Sequence, residues 1–298
     1  MTLVSRILIS GASGLIGSAL VRAFSPSGNE VFRLVRRSPQ SAKEIAWDPM
    51  RPVAAKLVSG FDAVIHLSGE SVSGRWTRGK KRRIRDSRVV STENLARALA
   101  LAEKKSSVFV CASAIGYYGD RGDEVLTEGS AAGEGFLPAV CREWESATHA
   151  ALAAGIRVVN LRFGIVLSRD GGALRQMLLP FRWGLGGRIG SGRQWWSWIH
   201  IDDLVAAVFD ILENRDLRGA VNTVSPNPVS NAEFTKTVAH TLGRPAIFAV
   251  PGFVVRFAFG EFANEGLLAS ARVLPERLSQ AGFRFRYPGL EMTLKQLL

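Results

Sequence analysis

The chain has 298 residues, 47% of them hydrophobic, a formal net charge of +12 and two cysteines. That length suits one large domain or one and a half, and no apolar run is long enough to span a membrane. Two cysteines exclude a disulfide framework, and the charge calls for anions without choosing among a phosphorylated cofactor, nucleic acid and a membrane surface.

The segment "MTLVSR" leads directly into a strand, which leaves no room for a secretory signal and implies a cytoplasmic or equally reducing compartment. The stretch "RILISGASGLIGSAL" (6–20) then reads as an apolar strand, a glycine-rich turn and a helix over about 14–24. Gly11, Gly14 and Gly17 allow a tight turn, a close approach of backbone to phosphate and tight helix–strand packing. With Ser13, Leu15 and Ile16 they form a cradle for the pyrophosphate of a dinucleotide, aided by the free N–H groups of the helix start. A purely structural turn is the alternative, and the strand before and helix after argue against it.

A strand "EVFRLVRR" (30–37) follows. An NAD site usually carries an acid at its end, whereas here the residues are Val35, Arg36 and Arg37. An arginine pair suits the 2′-phosphate of NADP(H), against the alternative of two solvated surface arginines.

Next come a strand "DAVIHLSG" (62–69), a helix over about 77–104 and a strand "SSVFVCAS" (106–113). A helix around 138–154 precedes a strand "IRVVNLRFGIVLS" (156–168). Continuous apolar runs of this kind predict a parallel sheet covered on both faces. Beyond residue 170 the rhythm breaks into a loop, "GLGGRIGSGRQWWSWIH", with room for one short strand, and "SNAE" (230–233) has capping-box spacing for a helix start. The predicted fold is α/β, a Rossmann-type doubly wound parallel sheet with a smaller C-terminal α/β lobe. The division falls at 1–170, the dinucleotide-binding part to which later segments return, and 171–298, the substrate-side lobe.

The motifs resemble the extended short-chain dehydrogenase/reductase superfamily. In that resemblance "DAVIHLSG" places Leu67, Ser68 and Gly69 along the cofactor, and "RVVSTENL" puts Arg88 where relatives have an asparagine that reaches it. "SGESVSGRW", "SAIGYYGDRGDEVLTE", "LPFRWGLGGRIGSGRQWWSWIHIDDL" and "VLPERLSQAGFRFRYPGL" look like one subfamily, the atypical epimerase-family group of short-chain type 39U. Some bacterial members of that group are described as sugar-nucleotide epimerases or cell-division inhibitors. The resemblance spans essentially the whole chain, including a C-terminal domain of unknown function over about 248–296. It implies NADP(H) as cofactor and leaves the substrate and reaction open.

The same resemblance exposes a departure. Superfamily members carry Tyr-x-x-x-Lys on the helix after the fifth strand, and no such pair occurs anywhere here. If Glu145 matches the acid that often follows the motif, Leu137 fills the tyrosine slot and Cys141 the lysine slot. The usual serine is ambiguous, since alignment on "YYG" gives Ala114 and a slide by one gives Ser113.

Leucine moves no proton, and loss of a positioned acid or base costs about 10²–10⁴ in rate. The remaining candidates for catalysis are Tyr117, Tyr118, Glu70 and Ser113, each weighed against a packing or solvated role. His200 reads as a satisfied structural histidine, Asp202 and Asp203 as helix-capping acids, and Trp195, Trp196 and Trp198 as a pocket floor or lobe packing. The basic run Arg75–Arg85 reads as a solvated helix face rather than a nucleic-acid site. There is no metal-ligand spacing. Two functions stay open: an atypical reductase or epimerase-like enzyme acting on a small molecule, and a non-catalytic NADP(H)-dependent regulator.

Overall fold

A computed structural model describes residues 5–298; Met1–Val4, with the first part of the segment read above as leaving no room for a signal, lie outside it. Seven strands form the central sheet: β1 (Arg6–Ser10), β2 (Glu30–Val35), β3 (Glu44–Ala46), β4 (Ala63–His66), β5 (Val108–Ala114), β6 (Arg157–Phe163) and β7 (Gly219–Thr223). Their spatial order is β7-β6-β5-β4-β1-β2-β3, and every pairing is parallel. The order reverses between β1 and β4, so the ends of these strands open a crevice where a doubly wound sheet binds its ligand.

Both faces of the sheet are covered, which explains the continuous apolar runs. On one face Ile7 and Ile9 pack with Leu20 and Phe24 of α1 (Leu15–Phe24), and with Leu204 and Val208 of the later helix Ile201–Glu213. On the other, Leu8, Val64 and Phe109 pack with Leu95 and Leu99 of α2 (Arg78–Ala100) and Trp144 of α3 (Phe136–Ser146). Each such fully buried aliphatic side chain contributes roughly 1.5–3 kcal/mol.

Two predicted elements are split. The helix expected over 138–154 breaks into α3 and α4 (His149–Ala153). At the break, the Thr148 hydroxyl donates to the Glu145 carbonyl at 2.6 Å, a local bond that competes with the helical ladder. The strand expected over 156–168 ends at Phe163. Gly164 passes so close to Ser197 that a Cβ there would lie 2.6 Å from the Ser197 carbonyl oxygen. The continuation, Ile165–Leu167, leaves the sheet and pairs with Trp198–His200.

The lobe is built from α5 (Gly172–Arg182) and, after α6 (Ile201–Glu213) and β7 have returned to the sheet, from α7 (Asn231–Leu242), α8 (Gly252–Phe259) and α10 (Leu290–Leu297), while α9 (Glu276–Gln280) packs back on β7 with Leu278 in the sheet core. The tryptophan-rich loop contains three short strands where the sequence suggested one: Gly187–Ile189, Trp195–Trp196 and Trp198–His200. Trp196, Trp198, Leu178, Phe234 and Leu294 share the lobe core. Ser230 caps α7, accepting from the Glu233 N–H as the capping-box spacing predicts.

The cap of α6 is His200, not an aspartate. Its Nδ1 accepts from the Asp202 N–H at 3.0 Å, so the ring hydrogen sits on Nε2 and points to Gln296 Oε1 at 2.8 Å. Asp203 instead accepts from the N–H groups of Arg286 and Tyr287 and ties the C-terminal segment to the sheet domain.

Candidate functional site

The glycine turn leaves β1 at Gly11, whose φ is +69°. A Cβ there would lie 2.8 Å from the Leu67 backbone, and one at Gly17 would lie 2.3 Å from the Gly11 carbonyl oxygen. Only glycine fits these two positions without displacement of backbone. Gly14 begins α1 with no side chain capping it, so the first N–H groups of the helix face the crevice. Ser13 and Gly14 are exposed at its mouth.

The facing wall, Leu67 to Gly69, is held from behind by His66. This histidine is fully buried, with Nδ1 2.6 Å from Ser10 Oγ and Nε2 3.1 Å from Ser91 Oγ. Ser91 spends its hydrogen on the Ser87 carbonyl, so His66 Nε2 donates to Ser91 and Nδ1 accepts from Ser10. Ser10 Oγ in turn accepts from the Leu67 N–H at 3.2 Å. Burial lowers the His66 pKa to about 3, and the ring is neutral.

Two grooves meet at Gly11, Gly14, Leu67 and Gly69. One runs toward β2 and is lined by Arg33, Val35, Arg36, Arg37, Glu44, Trp47 and Ser68. Its arginines differ. Arg36 is exposed. Arg37 is forked onto Glu44 at 2.8 and 2.9 Å, and this pair holds the Glu44 carboxyl below its usual range. The sequence reading found no acid at the end of β2. Glu44 arrives from β3, the neighbouring strand, a proximity that spacing along the chain does not disclose. Arg33 also lines this groove, and its Nε is buried without a partner among the described residues.

The other groove runs toward the lobe. It is lined from the sheet side by Leu15, Ile16, Arg88, Ser113, Ala114, Leu137, Cys141 and, just past the sheet, Ile165, and from the lobe by Met177, Trp195, Trp196, Phe262 and Glu265, among others. Leu137 and Cys141 therefore face the cavity together, on successive turns of α3. Burial pushes the Cys141 thiol up to about 12, with the Glu145 carboxylate adding to the shift, so it is no thiolate. Arg88 lies across Gly69 and over the Trp144 ring at 5.0 Å, donating to the carbonyls of Glu70 and Ile84.

Of the four candidates for catalysis, only Ser113 lines this cavity. It is buried, and its hydroxyl donates to Glu145 Oε1 at 2.7 Å. Glu145 also receives the Arg162 fork, Nε to Oε1 and Nη2 to Oε2, both at 2.8 Å. Arg162 Nη1 donates to the Tyr118 hydroxyl at 2.9 Å, which lies 2.7 Å from Asn222 Oδ1. Tyr118 is fully buried, and burial pushes its hydroxyl up to about 12 despite the arginine. The Tyr117 ring stacks beneath the Arg162 guanidinium at 3.5 Å. Both tyrosines thus serve a buried ionic network beside the cavity. Glu70 lines the β2-side groove and pairs with Lys80 at 2.9 Å.

Sequence reasoning missed Arg162, Asn222, Arg33, Glu44 and Glu265. Arg162 was the findable one, since a lone arginine within an otherwise apolar central strand needs a buried partner. The basic run is stitched to acids and carbonyls: Lys81 to Glu261, Arg85 to Glu143 and Arg75 to the Phe257 carbonyl. Among the described residues no cluster of histidine, cysteine and acidic side chains could hold a metal, and no helix is long and apolar enough to cross a membrane.

Comparison with known proteins places these features. Residues 7–223 match the NAD dependent epimerase/dehydratase family, and residues 250–297 match a domain of unknown function, DUF1731. An epimerase family protein of Mycobacterium leprae is 42% identical over 283 residues, covering 94% of this chain and 92% of that protein. The structure of the human epimerase family protein SDR39U1 (isoform 2), determined with NADPH, superposes with a TM-score of 0.89 at 33% identity, covering 98% of both chains. A nucleoside-diphosphate sugar epimerase of Corynebacterium glutamicum gives 0.83 at 38% identity, over 99% of this chain and 58% of that one.

Proposed function

Because the chain belongs to the NAD dependent epimerase/dehydratase family, we propose that it binds NADP(H) across the β1–β4 crevice and acts on a small molecule held beneath the lobe. The observation that carries this reading is the junction of the two grooves at Gly11, Gly14, Leu67 and Gly69. There a cradle that any Cβ at Gly11 would obstruct meets an uncapped helix start. The NADPH in the human relative's structure supports the choice of dinucleotide.

In this reading the N–H groups of Leu15, Ile16 and Gly17 take the pyrophosphate. Arg36 takes the 2′-phosphate, with Arg33 and the Glu44-oriented Arg37 beside it. Leu67 to Gly69 form the wall along the ribose, and Arg88 supplies a fixed cation where Cys141 brings none. When bound, NADP(H) supplies or accepts a hydride at its nicotinamide ring.

Leu137 has no proton to pass, the Cys141 thiol is pushed up to about 12 and brings no cation, and Ser113 has already given its hydrogen to Glu145. The usual tyrosine-and-lysine proton transfer is therefore absent, and the protein is an atypical reductase or epimerase-like protein. The same commitment of protic groups favours a second reading, a non-catalytic regulator that senses NADP(H). A change in NADPH absorbance that depends on added substrate separates the two.

The division near residue 170 follows the same logic, with the lobe and the 248–296 segment on the substrate side. Two buried, unpaired cysteines support a reducing, cytoplasmic setting. Titration of the full chain with NADPH, followed by its nicotinamide emission, tests the cofactor reading. Saturable enhancement at one equivalent is expected; a flat titration overturns it.

A further inference from the structure

The lobe side of the cavity carries almost no chemistry for charged or hydroxyl-rich molecules. Its wall presents Met177, Trp195, Trp196 and Phe262, with Ile165 and Val166 beside them where the chain leaves the sheet. The charged residues lining the whole cavity are Arg88 and Glu265. Arg88 sits on the dinucleotide side, laid across Gly69 and held by the carbonyls of Glu70 and Ile84. Among the described residues Glu265 is the lobe's only charge there. Its two oxygens accept the Phe136 and Leu137 N–H groups at 3.0 and 2.7 Å, at the start of α3.

The hydroxyls are committed as well. Ser197 Oγ donates to the Ala271 carbonyl and accepts from the Val273 N–H, both at 2.8 Å. Ser113 donates to Glu145. Ser73 remains, exposed at the rim. Arg272 stacks on the Trp195 ring at 4.4 Å and does not line the cavity.

We propose that this cavity takes an uncharged, largely apolar carbonyl compound or the matching alcohol, and rejects nucleotide sugars and other phosphorylated molecules. The inference rests on the cofactor reading above, because NADP(H) claims Arg88 and the sheet-side half. A diphosphate brings negative charges that bind well only against arginine or lysine, or against a free helix start. On the lobe side it meets a carboxylate and a helix start already capped by that carboxylate. A sugar ring would bury most of its hydroxyls opposite indole and aliphatic surface, with only the spare lone pairs of Glu265 and the unpartnered Trp196 Nε1 near them. An aliphatic or aromatic body loses nothing there and gains from removal of its surface from water.

The test uses the full chain loaded with NADPH, and saturation-transfer NMR on the ligands. The probes are the straight-chain ketones from 2-hexanone to 2-decanone, with UDP-glucose as the charged competitor class. Affinity should tighten about threefold to fourfold with each added methylene. UDP-glucose should give no transfer at the concentration that saturates with 2-decanone. Met177→Glu should weaken 2-decanone at least about tenfold while NADPH affinity is unchanged. Transfer to UDP-glucose in the NADPH-loaded protein overturns the proposal, and so does an affinity that does not rise along the ketone series. If NADPH itself fails to bind, the cofactor reading falls separately. The ketone series on the unloaded chain then decides the class of ligand by the same two criteria.

Discussion

Ser113 gives its hydroxyl hydrogen to Glu145 at 2.7 Å, and the same carboxylate takes both arms of the Arg162 guanidinium. The serine that the superfamily resemblance would aim at a carbonyl is thus fastened to a buried ion pair. Toward the cavity it offers lone pairs only. The Arg162 and Glu145 side chains are 4% and 14% exposed, so solvent screens the pair little.

Breaking this pair should be costly. Glu145→Ala strands the Arg162 charge in the sheet, and loss of one partner of a buried pair destabilises by about 3–5 kcal/mol. Glu145→Gln, which keeps an acceptor for Ser113, should lose less. Urea unfolding of both variants measures this. A loss below about 1 kcal/mol for Glu145→Ala would show that water reaches the arginine.

Cys141→Ala should leave NADPH affinity and any native turnover intact, because a thiol pushed up to about 12 is neither nucleophile nor cation at neutral pH. Kinetics on the variant with a carbonyl and nucleotide-sugar panel check it. Turnover abolished by this change would mean that the lysine slot still carries chemistry.

On the β2 side the two arginines should separate. Arg36→Ala removes a bond to a charged group worth about 1.5–3 kcal/mol, a roughly ten- to hundredfold loss of NADPH affinity, with NADH unaffected. Arg37→Ala should also lower the melting temperature, because Glu44, whose side chain is 4% exposed, loses its fork. Equal affinities of the wild type for NADPH and NADH would remove the 2′-phosphate assignment.

His66 should make the protein acid-sensitive. Its pKa is about 3 when folded, against an ordinary value of 6.5. Below pH 6.5 the unfolded chain takes up a proton that the folded one refuses. Stability therefore falls as pH drops from about 6.5 toward 3, by up to about 1.4 kcal/mol per pH unit. Carboxylates held below their usual range, Glu44 and Asp62, add to acid loss in both wild type and variant. The slope of denaturation midpoint against pH should hence be shallower in His66→Asn. Identical slopes would place the histidine's proton elsewhere.

The sheet was legible because its information is local. β1 with its glycines, the apolar runs of β4 and β5, and the Ser230 cap each specify themselves within a few residues. What depends on distant pairing was not. Arg162 and Glu145 are 17 residues apart, and Tyr118 meets Asn222 across 104. Over those distances the two tyrosines, weighed between a catalytic and a packing role, pack against an ion pair. The breaks at Gly164 and Thr148 came from a close backbone contact and a side-chain bond, neither of which periodicity registers. Leu137 and Cys141, read as neighbours in the tyrosine and lysine slots, do share the cavity wall.

The most direct test is a crystal structure of the full chain grown with NADPH. The account predicts pyrophosphate on the N–H groups at the start of α1, the 2′-phosphate against Arg36, and the nicotinamide beside Leu137 and Cys141. No tyrosine hydroxyl should lie within proton-transfer distance, about 2.6–3.2 Å or one water, of a ligand atom beside that ring. A dinucleotide bound outside the crevice, or Tyr117 or Tyr118 turned into the cavity within that reach, would contradict it.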